Sequence, residues 1–472
     1  MGDSQRLSAL DRSFLDLEGP ATHMHVAAVF VFSGSSLFDP EGALDFDTVR
    51  SYVASRLHVV PRYRQRIAWI PVERHPVWVD DVDFDIRHHV RLVRLPPPGD
   101  DVQLKETCSE ILARPLDRRR PLWEMCFVSG LEHEHVALVC KVHHCMTDGV
   151  AGMGLVRALL ATVPSKEFDE APAWWPRPEP HGLELLCEAA WRRVEISLGL
   201  ATALLERVRR PERALRDLTD SLLGVAEIAS VGLRSASPTP FNRAIGPRRR
   251  FDGIAFELDE VKRIKNRLGG TVNDVVLTVV AGAVGRVLQR AGMSRGTLAK
   301  LEFRVYCPVD VRAGGDATSL GNRVSAMIAP LPIAERDPRK RIRQVTATTR
   351  RLKSSRQARG ADVVAAVSDW VLPALQSGLT RFAFSNRSSN LIVSNVPGPP
   401  MRLYLLGAPL VEFFPVVPLF QNQVLGIALS SYAGGLYWGL NTARDHFPAL
   451  EHFPAALDES FHELCEAAVG AS

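Results

Sequence analysis

Residues 139–149 read VCKVHHCMTDG. The apolar residues before the histidines predict a buried strand, and the apolar residues that follow Gly149 at helical spacing predict a helix. His143 and His144 therefore lie where a strand ends, and Asp148 follows about one turn later. A rigid strand end holds an imidazole in place, and a nearby carboxylate fixes its surroundings, so the arrangement favours a general base.

Structural interpretations of the same residues stay open at this level. His144 can be a hydrogen-bonded core histidine, Asp148 can cap a helix N-terminus, and Gly149 can permit a tight turn. A metal site is disfavoured because neighbouring residues of a strand point to opposite faces, which makes His143 and His144 poor joint ligands. No further cluster of His and Cys lies close in the sequence, and we therefore expect no metal at this site.

The spacing His-x-x-x-Asp-Gly is rare by chance. With 14 histidines in the chain and ordinary frequencies of Asp and Gly, about 0.06 matches are expected. A second doublet, His88-His89, has no Asp-Gly behind it. We predict that this second pair consists of surface or half-buried strand residues.

Composition narrows the class of protein. A length of 472 residues is enough for two large domains or three ordinary ones. Hydrophobic residues are 46% and charged residues 23%, which excludes bulk disorder. The net charge of +4 is too small to indicate a nucleic-acid-binding protein. Seven cysteines without a CxxC pair argue against a disulfide framework or a zinc ribbon, and favour a reducing compartment.

The sequence also limits where the protein resides. Its N-terminus is charged and has no apolar h-region, so it does not resemble a signal peptide. No run of 18 apolar residues is free of charge, which disfavours an integral membrane protein. Residues 183–216 combine an apolar stripe with seven arginines, which fits an anionic lipid surface or a helix packed on its own domains. We expect a cytoplasmic protein, with a peripheral position on the inner face of the membrane or on lipid bodies left open.

Mixed helical and strand patterns lie on both sides of a proline-rich break. Residues 164–180 read PSKEFDEAPAWWPRPEP and predict a linker. The sequence therefore predicts an α/β protein with an N-terminal domain over 1–163, a linker and helical crossover over 164–240, and a C-terminal domain over 241–472. Strands are predicted at 24–32, 122–128, 135–142, 251–258, 301–311, 322–333, 390–394, 424–432 and 436–441. Helices are predicted at 45–57, 103–112, 259–268, 271–290, 337–353, 362–375 and 447–469.

Four motifs occur in one order along the chain, together with a characteristic N-terminal start. They are Pro121-Leu122-Trp123, His143-His144-Cys145-Met146-Thr147-Asp148-Gly149, Asn273-Asp274 and Ser394-Asn395-Val396-Pro397-Gly398-Pro399, after Leu10-Asp11 to Phe14 and Met24-His25-Val26. In these motifs the chain resembles the bacterial wax ester synthase/diacylglycerol O-acyltransferase family, within the CoA-dependent acyltransferase (condensation-type) superfamily. The resemblance spans essentially the whole chain.

The resemblance implies a fold, a reaction and roles for particular residues. The fold would be chloramphenicol-acetyltransferase-like, with two domains of mixed sheet flanked by helices and an active-site channel at their interface. His144 would be the general base that takes a proton from an acceptor hydroxyl as the oxygen attacks the thioester of an acyl-CoA. His143 would face the other way and only pack, Asp148 would fix the motif loop by pairing with an arginine, and Gly149 would let the loop turn and leave space near the thioester. Neither a cofactor nor a metal is implied, because acyl-CoA is a substrate.

Further site residues follow from the other motifs. Asn273 would stabilise the oxyanion or orient a substrate, although Thr271 as N-cap places Asn273 and Asp274 in the first turn of a helix. Asp274 can there complete a capping box. Pro121, Leu122 and Trp123 would provide a packing anchor or part of an acyl-tunnel wall. Ser394, Asn395, Pro397 and Gly398 would form a turn that lines the channel between the domains.

The identity of the acyl acceptor stays open. The family resemblance favours diacylglycerol and hence triacylglycerol synthesis, with a long-chain alcohol and wax ester synthesis as the alternative. An acyltransferase of the same fold with a polar acceptor is a rival, and so is a lipid-binding protein without catalysis. A hydrolase, in which water replaces the alcohol, is a weaker possibility. The expected partners are acyl-CoA and the acceptor, with a lipid surface, and no nucleic acid; no oligomeric state is predicted.

Overall fold

The computed structural model describes residues 5–71, 73, 75–146, 154–187, 191, 235–310, 324–354, 388–445 and 448–470. Asp148 and Gly149 lie outside the described residues, as do the predicted helix 362–375 and most of the predicted helical crossover after residue 187. Their predicted roles stay predictions.

Helices and strands are interspersed along the described chain. The helices are α1 (Ala9–Leu17), α2 (Phe46–Arg56), α3 (Asp101–Ala113), α4 (Gly154–Leu159), α5 (Leu258–Leu268), α6 (Val272–Arg290), α7 (Arg295–Lys300), α8 (Pro338–Ser354) and α9 (Phe453–Val469). The strands are β1 (Gln5–Arg6), β2 (His25–Ser33), β3 (Gln65–Trp69), β4 (Pro76–Asp80), β5 (Val90–Arg94), β6 (Trp123–Ser129), β7 (His135–His143), β8 (Arg249–Glu257), β9 (Arg304–Asp310), β10 (Val324–Pro330), β11 (Leu391–Val396), β12 (Tyr404–Leu405), β13 (Ala408–Val416), β14 (Leu425–Tyr432) and β15 (Gly435–Ala443).

The first large sheet has six strands in the order β12-β13-β2-β7-β6-β5. Only β5 and β6 pair in parallel, and the other neighbours are antiparallel. Strands β6 and β7 are buried along almost their whole length, as expected of central strands that are covered on both faces. Strand β7 carries His143 at its last position, so the sheet holds the motif rigidly.

The second large sheet has the order β10-β9-β11-β14-β15-β8. Its strands β9, β11 and β14 run parallel to one another, while the outer pairs are antiparallel. Helix α6 packs against this sheet and is buried from Asp274 to Leu288 at nearly every position. It is long and apolar enough to cross a membrane, but 78% of its most apolar window is buried inside the protein, as in the core helix of a globular domain.

The two mixed sheets flanked by helices confirm the predicted α/β fold. One connection was not predicted: β13 follows β11 in the chain but pairs antiparallel with β2 of the first sheet. A segment from the predicted C-terminal domain therefore completes the N-terminal sheet. Its residues alternate only weakly in polarity, which is why the period-two pattern did not reveal this strand.

Local sequence signals account for the element boundaries in the second half. Gly269 ends α5 with φ of 85°, and Thr271 caps α6 with a full capping box to Asp274, both as predicted. The strands predicted at 424–432 and 436–441 form an antiparallel hairpin, and its two-residue turn is Ala433-Gly434, since Tyr432 pairs with Gly435. Both turn residues have positive φ, as a two-residue hairpin loop requires.

A small antiparallel sheet, β1-β4-β3, lies beside the first domain. Residues 164–180, the predicted linker, have no helix or strand and lie along this sheet. Arg66 pairs with Glu179 at 2.5 Å, and Arg64 stacks over the ring of Trp174 at 4.5 Å. The linker is thus fastened to the N-terminal domain by side-chain contacts.

Candidate active site

The two histidines of the motif are positioned by backbone hydrogen bonds at the end of β7. His143 pairs with His25 across the β2–β7 ladder. The backbone N–H of His143 donates to the carbonyl of Leu122 at 2.9 Å, and that of His144 donates to the carbonyl of Met24 at 2.7 Å. His144 then begins a short 3-10 turn over His144–Met146. The motif is therefore held from both neighbouring strands.

His143 lies fully inside the protein and stabilises this turn. Its Nδ1 accepts the backbone N–H of Cys145 at 3.1 Å, and the thiol of Cys145 lies 3.0 Å from the same nitrogen. Because Nδ1 is an acceptor, the ring proton of neutral His143 is on Nε2. That Nε2 faces Glu18 Oε2 at 3.7 Å. The imidazole thus connects the turn that carries His144 to a buried carboxylate.

Glu18 is the centre of a buried charged cluster behind the motif. Its carboxylate accepts a hydrogen bond from Arg118 Nε at 2.6 Å and lies 3.5 Å from His25 Nε2. His23 stacks on His25 with 5.4 Å between ring centroids. No group of three or more His, Cys, Asp or Glu among the described residues could hold a metal ion, and Arg118 already neutralises the carboxylate that a cation would use.

Burial and charge decide the protonation states in this cluster. Burial alone would raise the pKa of Glu18, but the hydrogen bond from His25 and the charges of His143 and Arg118 outweigh it and lower that pKa to about 2. Burial lowers the pKa of His143 to about 3. His143 is therefore neutral at pH 7, and the positive charge that balances Glu18 there is that of Arg118.

His144 lies on the other side of the turn, against α1. Its ring stacks on Phe14 with 3.8 Å between centroids and 17° between planes, and part of the residue stays accessible to solvent. Burial of the imidazole lowers the pKa of His144 to about 4. The ring is therefore neutral at pH 7, which is the state that a general base needs before it takes a proton.

The Pro121-Leu122-Trp123 motif contacts the backbone of the histidine doublet. Leu122 supplies the carbonyl that accepts from His143 and is fully buried. Trp123 is 1% exposed, and its Nε1 donates to the carbonyl of Tyr63 at 2.7 Å. These contacts correspond to the packing anchor among the predicted roles; a part in an acyl-tunnel wall stays a prediction.

The second histidine doublet has a structural role that was only half predicted. His88 is exposed, with 45% of its side chain accessible. His89 is 3% exposed, so the prediction of a surface or half-buried residue is wrong for it. Its ring stacks on Trp123 at 4.5 Å and its Nδ1 bonds the carbonyl of Trp123 at 2.9 Å. An aromatic partner distant in sequence, which no spacing rule reveals, buries this histidine.

An apolar cluster joins the two domains beside His144. Met24, Ile392 and Phe420 form its buried centre, and Phe14 and Tyr306 pack against it. Met24 immediately precedes β2 of the first sheet, whereas Ile392 belongs to β11 of the second sheet. His144 therefore borders an apolar surface to which both domains contribute.

Asn273 and Asn395, from two separate motifs, are brought together. The Nδ2 of Asn395 donates to the Oδ1 of Asn273 at 2.6 Å, which joins the first turn of α6 to the end of β11. In this arrangement the amide oxygen of Asn273 is occupied, and its Nδ2 remains the group that can donate to a ligand. A donor at this atom is what the predicted role in stabilising an oxyanion would need.

Asp274 has the structural role that the sequence allowed. Its Oδ2 accepts from the backbone N–H of Thr271 at 2.8 Å, which completes the capping box. Its Oδ1 accepts from Thr349 Oγ1 of α8 at 2.6 Å. With both oxygens bonded and 3% exposure, Asp274 fixes α6 to α8, and the predicted substrate contact of this residue stays a prediction.

The loop after β11 turns where two strands come close. Gly398 donates its N–H to Ser431 Oγ at 3.2 Å, and a Cβ at this position would lie 2.1 Å from the carbonyl oxygen of Ser431. Only glycine fits there without displacement of the backbone. Ser394 lies within β11 and Pro397 just after it. Their predicted part in lining a channel stays a prediction.

Sequence reasoning missed Glu18, Arg118 and Thr349. Glu18 and Arg118 are 100 residues apart and meet only because α1 packs against the turn at His144. A charged residue in a soluble chain is most often on the surface, so neither carried a signal by type or spacing. Phe14 was visible in the sequence only as part of the N-terminal start that resembles the family. That resemblance did not indicate that its ring stacks on His144.

Comparisons with known proteins agree with this geometry. The sequence profile of the wax ester synthase/diacylglycerol acyltransferase catalytic domain matches residues 7–276, and that of the WS/DGAT C-terminal domain matches residues 320–465. A protein of Mycobacterium tuberculosis (strain CDC 1551 / Oshkosh), assigned by name as a diacylglycerol O-acyltransferase, is 33% identical over 96% of this chain and 90% of its own length.

Solved structures share the fold. The wax ester synthase/diacylglycerol acyltransferase from Marinobacter aquaeolei VT8 superposes with a TM-score of 0.69 at 24% identity, covering 98% of this chain and all of its own. The first condensation domain of the calcium-dependent antibiotic synthetase, in complex with a substrate analogue, gives a TM-score of 0.57 at 13% identity over 99% of this chain and 97% of its own. At these identities the likeness concerns the fold.

Proposed function

The chain belongs to the wax ester synthase/diacylglycerol acyltransferase family, and we propose that it transfers a long-chain fatty acyl group from acyl-CoA to the hydroxyl of diacylglycerol, with His144 as general base. Family membership makes the protein an O-acyltransferase. The choice of diacylglycerol and the role of His144 are the proposal. The observation that carries it is the position of His144, which directly follows β7, donates its backbone N–H to the carbonyl of Met24, stacks on Phe14 and leaves part of the residue accessible to solvent.

The proposed reaction has two steps, attack of the acceptor hydroxyl on the thioester and collapse of the tetrahedral intermediate. His144 takes the proton of the acceptor hydroxyl as the oxygen forms a bond to the thioester carbonyl carbon. The tetrahedral intermediate then collapses, the carbon–sulfur bond breaks, and the proton passes from His144 to the leaving thiolate of CoA. Because burial disfavours the imidazolium form, His144 returns this proton readily. A base positioned in this way contributes typically 10²–10⁴-fold in rate.

The surroundings of His144 suit two substrates with long hydrocarbon chains. Phe14, Met24, Ile392 and Phe420 form an apolar surface beside the imidazole. Such a surface lowers the polarity around the reacting atoms and strengthens hydrogen bonds to a developing oxyanion. The Nδ2 of Asn273 is the donor that we assign to this task or to orienting a substrate.

A lipid surface is the proposed source of the acceptor. Trp175 is 84%, Leu183 76% and Trp191 69% exposed, an unusual exposure for large apolar side chains. Aromatic and aliphatic residues of this kind suit the boundary between water and lipid. We place the protein in the cytoplasm, bound peripherally to the inner face of the membrane or to lipid bodies. Flotation with diacylglycerol-containing vesicles should weaken for the Trp175→Ala/Leu183→Ala variant.

The experiment that tests the function identifies the product. Purified protein is incubated with radiolabelled palmitoyl-CoA and diacylglycerol, hexadecanol, a soluble alcohol such as butanol, or no acceptor. The proposal expects triacylglycerol as the main product with diacylglycerol. Wax ester formed faster than triacylglycerol would make the protein a wax ester synthase. Faster ester formation with the soluble alcohol would favour a polar acceptor, and free palmitate in every arm would indicate hydrolysis.

A further inference from the structure

Helix α8 carries an unusual concentration of positive charge. Its 17 residues, PRKRIRQVTATTRRLKS, contain seven Arg or Lys and no Asp or Glu. Two of these cations have internal roles: Arg339 donates to the carbonyl of Ala467 at 3.0 Å, and buried Arg341 donates to the carbonyl of Glu335 at 2.9 Å. The other five, Lys340, Arg343, Arg350, Arg351 and Lys353, are exposed, so the helix presents a basic surface.

Three of the exposed cations follow one side of the helix. Arg343, Arg350 and Lys353 are spaced i, i+7 and i+10, which places them in a line on successive turns. Arg343 has Asp337 nearby. No ion pair joins Arg350 or Lys353 to another residue in the part of the chain that the structure describes. We name Arg350 and Lys353 the basic strip.

The basic strip borders a narrow cleft at the second sheet. Lys353 lines this cleft, together with Thr349 of α8, Asn273 and Asn395, and apolar side chains of β9, β10 and α6. The cleft is shallow, and its empty volume of about 420 Å³ includes open solvent at its mouth. Thr349 holds α8 against Asp274 of α6 through the 2.6 Å hydrogen bond, so the strip has a defined position relative to the cleft.

The cleft lies where open α/β sheets bind ligands. Strands β9, β11 and β14 are parallel, and Asn395 is near the carboxyl end of β11, next to the N-terminal turn of α6. Ligands of such sheets bind outside the carboxyl ends of the parallel strands. Along the same strand, Ile392 belongs to the apolar cluster beside His144. Three residues of strand separate the two, about 10 Å along β11, and their side chains lie on opposite faces of the sheet, so a path from the cleft to His144 passes around the carboxyl end of β11.

From this placement we infer that the basic strip binds the phosphate groups of the acyl-CoA donor, and that the amide-rich arm between the nucleotide and the thioester passes over the Asn273–Asn395 pair toward His144. The inference rests on the proposed function, since it assumes that acyl-CoA is the donor. The ligand class is a nucleotide with clustered phosphates, and the donors are one guanidinium and one ammonium. Both are groups that bind phosphate in water.

Charge within the cleft is consistent with this orientation. Among the described residues that line the cleft, the carboxylate is that of Asp274, which is bonded to Thr271 and Thr349 and is 3% exposed. A phosphate deep in the cleft would meet this carboxylate, whereas a neutral amide chain would not. The phosphates therefore lie at the exposed strip and the uncharged arm lies inside. Asn273 and Asn395 offer the amide donors and acceptors that such an arm requires.

The test compares CoA with 3′-dephospho-CoA as binding probes, by titration calorimetry, in the wild type and in the Arg350→Ala/Lys353→Ala variant. We expect the wild type to bind CoA about tenfold more tightly than the variant does, and the preference for CoA over dephospho-CoA to disappear in the variant. Turnover of palmitoyl-CoA should show a KM raised by the same factor with kcat unchanged. Lys340→Ala, an exposed cation about 15 Å along α8 from Arg350, is the matched control and should behave as wild type.

Failure of the inference and failure of the proposed function give different results. If the wild type and the double variant turn over palmitoyl-CoA equally well, acyl-CoA is the acyl donor, but the basic strip does not bind its phosphates. If no acyl transfer occurs but the strip-dependent preference for CoA is measured, the binding inference stands alone. Loss of binding to phosphatidylglycerol vesicles in the double variant, with unchanged CoA affinity, would overturn the inference and assign the strip to anionic lipid.

Discussion

The ring of Phe14 lies 3.8 Å from the ring of His144, nearly parallel to it. Phe14 belongs to α1, and His144 begins the turn after β7, so the contact joins the start of the chain to the motif 130 residues later. The aromatic face contributes to the burial that lowers the pKa of His144 to about 4. Stacking also restricts the imidazole to one orientation, which a base acting on a bound hydroxyl requires.

Removal of this ring should alter both the position and the titration of His144. For Phe14→Ala we expect kcat/KM to fall by about 10²-fold, since a misplacement of about 1 Å can cost that much. The acidic limb of the kcat/KM profile should move from about pH 4 toward 6.5, because the exposed imidazole regains its ordinary pKa. Phe14→Leu keeps an apolar side chain over the imidazole, so its acidic limb should lie between those of the wild type and Phe14→Ala. An unchanged limb in Phe14→Ala would refute the link between stacking and titration.

Glu18→Gln tests the buried cluster behind the motif. The carboxylate has its pKa lowered to about 2, so it is charged at neutral pH and stabilises the folded state there. This contribution is present above the unfolded value near 4.5 and is lost as pH falls through about 2. The difference corresponds to about 3 kcal/mol. Because 45% of the Arg118 side chain is exposed, water partly replaces its lost ion pair, and we expect Glu18→Gln to lose no more than this amount.

Denaturant unfolding at pH 7 and at pH 3 measures the Glu18 effect. Glu18→Gln should be less stable than the wild type at pH 7, and the difference in the free energy of unfolding should decrease as pH falls toward 2. Asp47→Asn, whose carboxylate pairs with Arg50 while 91% exposed, is the control and should change stability little. Equal stability of wild type and Glu18→Gln at pH 7 would show that the cluster does not stabilise the fold.

Buried histidines make the fold sensitive to mild acid. Burial lowers the pKa of His23, His89 and His144 to about 4 and that of His143 to about 3. The unfolded chain binds protons at these groups near pH 6.5 and the folded chain does not, so stability falls as pH decreases from about 6.5 to 4. Each of the three histidines with a pKa near 4 accounts for up to about 3 kcal/mol of this loss, and His143 accounts for up to about 5 kcal/mol as the pH falls further to 3.

His89 allows this pH dependence to be measured apart from the reaction. It lies under Trp123 and not beside the base. In His89→Gln the slope of unfolding free energy against pH between 6.5 and 4 should decrease by about one proton, while His88→Gln, at the exposed neighbour, should leave the slope unchanged. Parallel pH profiles for wild type and His89→Gln would contradict the assigned neutral state.

Variants of Asn273 and Asn395 distinguish two roles of this pair: hydrogen-bond donation to the oxyanion by Asn273, or only a connection between α6 and β11. Asn273→Asp keeps the oxygen that Asn395 binds but removes the Nδ2 donor. If that donor stabilises the oxyanion, kcat should fall by about 10²–10³-fold with little change in KM. Asn395→Ala leaves the donor in place and should have a smaller effect. Equal losses in both variants would indicate that the pair only connects α6 to β11.

The sequence predicted elements best where one local rule applied. Thr271 with Asp274, Gly269, and the apolar runs of β7 and β14 each carried a complete signal, and the corresponding helices and strands are confirmed. Strand β13 escaped prediction because its pairing with β2 spans nearly 400 residues. Packing between distant segments supplies that information, and no local pattern contains it.

In the candidate site, too, the sequence revealed residues that belong to local motifs and did not reveal residues that meet only in the folded chain. The His143-His144 doublet and the Asn273-Asp274 motif were visible as patterns, and resemblance to the family suggested their roles. Glu18 and Arg118 were not visible, because their relation exists only after α1 has folded against the turn at His144. Asp148 and Gly149 lie outside the described residues, so the arginine partner of Asp148 stays a prediction of the family resemblance.

The most direct test of the account is the rate of thiol release from palmitoyl-CoA with diacylglycerol as acceptor, compared between His144→Ala and His88→Ala. His88 is an exposed histidine of the same domain, so its replacement controls for the loss of an imidazole. We predict that His144→Ala loses about 10²–10⁴-fold of the acceptor-dependent rate with its fold intact by circular dichroism, and that His88→Ala keeps it. Acceptor-dependent release in folded His144→Ala within a few-fold of wild type would contradict the assignment of His144 as the base.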